Sequence, residues 1–483
     1  MVSVSQFTHI IGTETEHSAL NQHQEEKATF ESLKMALILG AKHFGRAGVS
    51  SKVWAFNGGL LYPDAHQKPE SATAECLTGA DAADHELAGS IRWAMLAEQS
   101  DRWEGRPPGS THILRVNTAH HGHSDGGNHV NVSMPARQGG GLPELSAVVP
   151  FLRPFIATLQ LISGTGLVVP RVPGHHTRLG GSKYRYAISP RAYHVEADKG
   201  GASSNTGLGR KPMFLARDEA LGDETMLWRL QICGLDSNIL HDALRLKLDL
   251  ILLVAEMAAQ EAIVSPVVRD PRQYHLARAV SLDWRRVFKL VSVDGRDRHM
   301  SALDIQWSYH HQAQEYVRDR RDGRGQGLLD EWASYLAAFD TDEDVPSRLY
   351  GRVDWVTKAL MLQRREARSS NWSYAEAENL HLGYHSIRFP DSGLPCVPLQ
   401  LWRRYGPPGL EQRLKRALDT PPEGTRATGR SAFTKAIAGS RTGSVIWHAL
   451  TQPDGKVIRL PNPAVPATPA LLRFLDSVEQ QAA

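Results

Sequence analysis

The sequence predicts an α+β protein, with a curved, mostly antiparallel sheet, helices against one face and a smaller C-terminal unit. Three observations carry this expectation. Strand-like runs at Phe7–Glu16, Val53–Tyr62, His112–Asn117 and His129–Met134 are joined by turns rich in Gly, Asp and Asn, without a repeating βαβ pattern. Helical periodicity is clearest at Glu26–Gly45, Ala83–Glu98, Leu240–Ala262, Ser301–Arg320, Gly327–Phe339 and Arg352–Arg368. Pro and Gly then cluster at Gly393–Pro408, which divides the chain into a catalytic-sized domain of residues 1–395 and a small C-terminal domain of residues 396–483.

The first strand is read from Ile10–His17, IIGTETEH, where Glu14 and Glu16 alternate with small or β-branched residues after an apolar pair. Residues two apart on a strand face one side, so both carboxylates project into one space. Like charges held that close repel, and a divalent cation removes the conflict. On these eight residues alone, a solvated edge strand carrying glutamates is the simpler account.

The stretch Asn57–Cys76, NGGLLYPDAHQKPESATAEC, adds Tyr62, Asp64, Glu70, Thr73 and Glu75 within twenty residues punctuated by Gly and Pro. So many acids in one short segment suit a magnesium nucleotide better than a core. Asp64 lies two residues after Tyr62 and shares its side if the segment stays extended. Taken alone, it is a turn aspartate following Pro63.

Further along, His120, His121, His123 and His129 lie in a Gly-rich stretch whose spacing matches no zinc motif. The first three read as solvated loop histidines. His129 and Asn131 alternate on a strand-like end, which makes His129 the candidate for a metal and nucleotide site. Leu145–Pro170 and Ala243–Val264 are the most apolar regions, but prolines and charges interrupt them, so both read as buried elements and not as membrane spans. The N-terminal MVSVSQFTHIIG lacks a basic start followed by a sustained apolar run, so no cleavable signal is expected.

Composition bounds the rest. With 483 residues, 41% hydrophobic and 22% charged, the chain can bury a large core. A net charge of +3 without long runs of one sign argues against nucleic acid as a partner. Cys76, Cys233 and Cys396 are too few and scattered for a disulfide framework, which fits a reducing cytoplasm.

These segments together resemble the ligases and depupylases of the prokaryotic ubiquitin-like protein, Pup, which are carboxylate-amine ligases of the glutamine synthetase type. The resemblance rests on G-T-E-T-E near the N-terminus, then N-G-x-x-L-Y-x-D and P-E-x-A-T-A-E-C. It continues through PFIATLQLISGTG, SPRAYH, the run Arg217, Asp218 and Glu219, the run Asp236, Ser237 and Asn238, ALDIQ, the run Asp354, Trp355 and Val356, and TPPEGTRATGR. What it implies is a glutamine synthetase-like fold and an ATP-dependent ligase in which a carboxylate is phosphorylated and an amine attacks the acyl phosphate.

By the same resemblance Glu14, Tyr62 and Glu70 hold Mg²⁺, with Glu16 beside them, and Asp64 is the catalytic base. Thr73 is implied as a nucleotide contact, and Trp447 in SVIWHAL as another. Among Arg191, Arg217, Arg229, Arg426 and Arg430, position within the shared segments singles out Arg217 and Arg426 as partners for phosphate or carboxylate. The implied partners are a Pup-like modifier and lysine-bearing target proteins, or a small carboxylate and amine.

The chain departs from the family pattern in three places. Leu60 stands where the family usually has an ATP-contacting arginine, Val130 interrupts H-E-N, and Gln231 replaces a histidine. Lys68, where the family usually has histidine, is the expected substitute cation for the arginine absent at Leu60. Depupylases carry an additional loop between the glutamate motif and N-G; here Glu16 and Asn57 are 41 positions apart, and a helix fills that distance, which favours ligase over amide hydrolase. A nucleotide-binding regulator without turnover is the alternative from outside enzymology, supported by Leu60 and Gln231 and opposed by Glu14, Asp64 and Glu70.

Overall fold

The computed structural model describes residues 9–21, 25–48, 51–64, 67–117, 126–135, 145–171, 176–194, 197–199, 212–217, 227–260, 262–263, 274–291, 296–320, 325–438 and 442–482. Its centre is a nine-stranded sheet in the order Ala197–Lys199, Pro212–Arg217, Leu227–Leu235, Asn128–Pro135, Ile11–Glu16, Pro69–Ala72, Leu60–Pro63, Val53–Ala55 and Gly45–Ala47. Ala197–Lys199 and Pro212–Arg217 run parallel, and the other neighbours are antiparallel. The expected α+β arrangement is therefore observed, and Ile11–Glu16 lies in the middle of it.

Ile11–Glu16 shows why the two faces differ. Ile11, Thr13 and Thr15 are buried, while Gly12, Glu14 and Glu16 alternate with them on the less covered face. Helices Gly79–Trp103 and His241–Ala259 pack against this strand and against Asn128–Pro135 respectively, and Leu145–Ser163 packs beside the second of them against Leu227–Leu235 and Pro212–Arg217.

Several boundaries differ from the sequence expectation for identifiable reasons. The helix expected from Ala83 begins at Gly79, because Thr78 caps it: its hydroxyl accepts from Asp81 N at 3.0 Å. Gly79 N also donates to Asp249 Oδ1 at 2.8 Å, and a Cβ there would sit 2.5 Å from that oxygen. The helix expected to run to Gly45 stops at Gly40 and passes through a tight turn into the strand Gly45–Ala47. Gly45 lies so close to Trp54 that a Cβ would stand 2.3 Å from its carbonyl oxygen. The apolar stretch from Leu145 is a helix despite Pro150 and Pro154, and the Pro154 carbonyl accepts from Thr158 Oγ1 at 2.7 Å. No described helix is long and apolar enough to cross a membrane.

The C-terminal part builds onto the acid-bearing side. Helices Val397–Tyr405 and Leu410–Asp419 still contribute Leu399, Trp402 and Leu414 to the large core. A second apolar cluster gathers Phe433, Ile437, Val445, Leu450 and Leu471 onto Trp54, Leu60 and Ala72 of the sheet. Its elements are helix Arg426–Ala436, a three-stranded sheet of Ser444–Ile446, Ala449–Thr451 and Val457–Arg459, and helix Pro469–Ala482.

An ion-pair clamp ties that cluster to the main sheet. Arg426 Nε donates to Glu75 Oε1 at 2.6 Å, and Arg430 donates to both Glu75 oxygens at 3.1 and 2.5 Å. Arg430 also donates to the carbonyls of Gly58 and Trp447. Burial alone would raise the Glu75 carboxyl, but Arg430 and Arg426 overcome it and draw it down from 4.5 to about 2. A carboxyl depressed in the folded state stabilises fully above the unfolded pKa and loses that contribution as pH falls toward about 2.

Urea unfolding between pH 5 and pH 2.5 should therefore show wild type losing about 2 kcal/mol through this one group. Glu75→Gln should be less stable by about 3 kcal/mol at pH 7, because it leaves two buried guanidiniums without their charge partner, and should lose stability less steeply on acidification. An equally steep acid loss in the variant would show that other carboxylates set the slope.

Candidate active site

Strand register builds the site. One row across the sheet pairs Tyr62 with Glu70 and Glu70 with Glu16. The next row runs from Leu60 through Ala72 and Glu14 to His129. Directly opposed residues on one face bring their side chains within about 5 Å, so these rows force the acids together. Ligand atoms of Glu14, Glu70 and His129 lie within 4.8 Å of one another, as do those of Glu16, Asp64 and Glu70. Glu70 is common to both groups.

Asp64 reaches the cluster from the turn after Leu60–Pro63. Its amide donates to Lys68 O at 2.9 Å, and its Oδ1 accepts from Lys68 N at 2.6 Å. It is thus a turn aspartate and a member of the acid group at once, and the turn is what points it there.

Glu14 is held by three neighbours. Its Oε2 accepts from Gln231 Nε2 at 2.8 Å and lies 3.4 Å from His129 Nδ1, and its Oε1 accepts from Arg229 Nη1 at 3.1 Å. Glu16 Oε2 accepts from Gly127 N at 2.9 Å. Burial pushes the Glu70 carboxyl well above the carboxylate range, and the charges of Glu14 and Glu16 push it further, with a Tyr62 hydrogen bond acting in the opposite sense. Burial likewise raises the Tyr62 hydroxyl, followed by Glu70 and Glu14. Hard carboxylate oxygens gathered in this way fit a divalent cation such as Mg²⁺, which would relieve the repulsion that raises Glu70.

Beside the acids opens a cleft whose walls include Gly12, Glu14, Thr73 and Arg229 on the sheet side, with Arg426 and Trp447 from the C-terminal part. Thr73 Oγ1 accepts from Thr13 N at 2.9 Å, which fixes Thr73 on the cleft floor. Trp447 meets Trp54 edge to face at 4.8 Å, and the Arg430 guanidinium lies 4.8 Å from the Trp447 ring centre.

The candidate residues thus separate into groups. Glu14, Glu16, Tyr62, Asp64, Glu70 and His129 converge, and Thr73, Arg426 and Trp447 line the adjoining cleft. Arg426 is buried and committed to Glu75, so it shapes the wall as well as lining it. Arg217 pairs in register with Arg229, and its side chain lies outside the described residues, as do Asp218, Glu219, His120, His121 and His123. Arg191 belongs elsewhere, with its Nε on Cys233 O and its backbone N on Asp236.

Arg229 and Gln231 are the functional residues that sequence reasoning ranked too low. Their signal was present in Trp228–Ile232, where Arg and Gln alternate with Trp, Leu and Ile at the strand period. The strand Leu227–Leu235 then sets both on the face of Glu14.

Comparison with known proteins gives the family and the fold. The sequence model of the Pup-ligase protein family covers residues 9–451. This chain belongs to that family. A Pup–protein ligase of Nocardia farcinica is 32% identical over 460 residues, covering 92% of this chain and 93% of the relative. That of Acidimicrobium ferrooxidans is 28% identical over 481 residues, covering 97% and 98%. Among solved structures, the complex between Pup and its ligase PafA shares the fold with a TM-score of 0.81 at 24% identity, covering 99% of this chain and 94% of the other. A structure of PafA with ADP gives a TM-score of 0.74 at 25% identity, covering 93% of each.

The crowded acids of this family member yield a test that needs no turnover. In EDTA, Glu70→Gln should be more stable than wild type by roughly 1–2 kcal/mol, because a like charge is removed from a buried cluster. Adding MgCl₂ should raise the melting temperature of wild type and leave that of the variant nearly unchanged. Equal responses to Mg²⁺ in calorimetric melting would place the cation elsewhere.

Proposed function

We propose that the chain is an ATP- and Mg²⁺-dependent carboxylate-amine ligase that joins the C-terminal glutamate of a Pup-like protein to a lysine of a target protein. The observation that carries this reading is the Glu70-centred acid cluster adjoining, through Glu14, a cleft walled by Thr73, Arg229 and Trp447. Family relatives named Pup–protein ligases and the solved complex of such a ligase with Pup support the substrate class. The ADP-bound relative supports the nucleotide. Buried, free cysteines support a reducing, cytoplasmic setting.

The chain's residues have distinct tasks in this reaction. Glu14, Glu16, Tyr62, Glu70 and His129 would hold Mg²⁺, which neutralises phosphate and carboxylate charge as phosphoryl transfer brings them together. Arg229 adds a positive charge already fixed by Glu14 and Asn131, so it need not reorganise when the phosphates arrive. Asp64, held by its turn, takes the proton from the attacking lysine amine. Trp447 and Thr73 bound the nucleotide.

Leu60 has a different role from the arginine it replaces. It is 7% exposed and packs with Trp54, Ala72 and Phe433. We assign the charge that position would supply to Arg229 on the opposite side of the acid row, in place of the expected Lys68, and titration of the two variants decides between them.

Asp64→Asn should bind ATP with near wild-type affinity and lose amide formation by roughly 10²–10⁴-fold, measured with MgATP, a Pup-like protein ending in glutamate and a lysine-bearing acceptor. Ligation at the wild-type rate would remove Asp64 from the base role. Arg229→Gln should weaken ATP binding about ten-fold or more, whereas Lys68→Ala should change it little. The reverse order in calorimetric titration would restore Lys68 as the compensating cation. Leu60→Arg should lower stability by roughly 2–4 kcal/mol without tightening ATP binding, because it places a charge in an apolar cluster.

A further inference from the structure

A second cavity lies away from the cleft, open to solvent and about 530 Å³ in volume. Its floor is one face of the small three-stranded sheet formed by Ser18–Asn21, Thr111–Leu114 and Ser386–Ile387. Alternation along these strands sends Ala19, Ile113 and Ile387 into the core and leaves Leu20, His112, Leu114 and Ser386 lining the cavity. Helices Tyr374–His385 and Val397–Tyr405 supply walls through Leu382 and Val397, with amides from Asn379 and Gln400.

Among the described residues, Arg388 is the one charged side chain in this lining, and no described carboxylate lines the cavity. Its Nη1 donates to Gly109 O at 3.2 Å, and its Nη2 lies 3.3 Å from the His112 ring nitrogens. Among the described residues it has no ion-pair partner, since both groups it touches are neutral acceptors. Gly109 makes this placement possible: at φ of 76° it carries no Cβ, and one there would stand 2.3 Å from Arg388 Nη1. Burial, then Arg388, lowers the His112 pKa, which keeps that ring neutral beside the guanidinium. Ser386 Oγ lies 3.1 Å from His112 Nδ1 and steadies the ring from the other side.

A guanidinium without a counter-ion, set in a cavity with apolar walls, is half of a charge-assisted pair. One fixed positive charge balances a single negative charge, which a carboxylate supplies, while a phosphate monoester carries nearly two. We propose that this cavity binds a small monocarboxylate with an aliphatic chain, the carboxylate on Arg388 and the chain against Leu20, Leu114, Leu382 and Val397. The site is separate from the cation and nucleotide site and does not depend on the ligase reading.

Octanoate is the probe, titrated calorimetrically into the full chain without nucleotide. It should bind with a Kd of about 0.1–1 mM. Octan-1-ol and octylamine should bind at least ten-fold more weakly, and octyl phosphate more weakly than octanoate. Arg388→Gln should cost ten-fold or more in affinity, and Arg388→Lys should recover part of it. Val397→Trp, which fills the cavity and leaves Arg388 in place, should abolish binding even if the Arg388 variants fail to fold. Glu70→Gln should bind octanoate as wild type does, which separates this site from the acid cluster. Equal binding of octanoate and octan-1-ol, tighter binding of octyl phosphate, or undiminished binding in Val397→Trp would each overturn the proposal.

Discussion

Like-charge crowding on one face of the central strand is the constraint around which the rest of the molecule is arranged. Glu14 and Glu16 share that face by the strand period, and register adds Glu70 from one side and His129 from the other. The sheet tolerates this because its opposite face is fully used. Ile11, Thr13 and Thr15 are buried under the helices, so the strand cannot slip by one residue without moving its apolar set into the open. Glu14 is satisfied by Gln231 and Arg229, and Glu16 by the Gly127 amide, whereas Glu70 meets acidic neighbours that a Tyr62 hydrogen bond offsets in part. The repulsion is concentrated on the residue common to both candidate ligand groups.

Five residues later the same chain solves the opposite problem. Glu75 is as buried as Glu70, yet two guanidiniums draw its carboxyl down to about 2, whereas Glu70 is pushed well up. The difference lies in the neighbours and not in the depth. Glu75 anchors Arg426 and Arg430 of the C-terminal helix, and Arg430 in turn holds the Trp447 carbonyl and lies over the Trp447 ring. A buried carboxylate paired with two guanidiniums therefore positions the wall of the cleft, while one set among other acids is raised.

Much of this was legible in the sequence because it depends on local periodicity. Alternation at Thr13–Glu16 placed both glutamates on one side, and the Tyr62 and Asp64 spacing placed both at one end of the acid row. The structure bears out the α+β architecture and gathers Glu14, Glu70 and His129 in one ligand-distance group and Glu16, Asp64 and Glu70 in another. What was not legible depends on which distant strands become neighbours. Arg229 and Gln231 alternate visibly, but only the pairing of Leu227–Leu235 with Asn128–Pro135 shows that their face is that of Glu14. Glu75 looked like one more acid in an acidic segment, because its partners lie some 350 positions away. The helix after Leu145 was obscured by the two prolines inside it, Pro150 and Pro154.

Leu60 shows how the two halves of the sheet face divide the work. Its row continues through Ala72 to Glu14 and His129, so a single line of cross-strand neighbours passes from an apolar cluster into the acid site. Leu60 and Ala72 are the surface onto which Phe433 and the other C-terminal apolar residues close. A guanidinium in the place of Leu60 would be desolvated beneath that cluster and would have to displace it to reach the cleft. Arg229 approaches the same carboxylate from the far side of Asn128–Pro135, where Asn131 and Glu14 already accept its hydrogen bonds. With leucine at one end of the row and Arg229 beyond the other, the apolar contact that seats the C-terminal unit and the charge that faces the cleft no longer compete for one position.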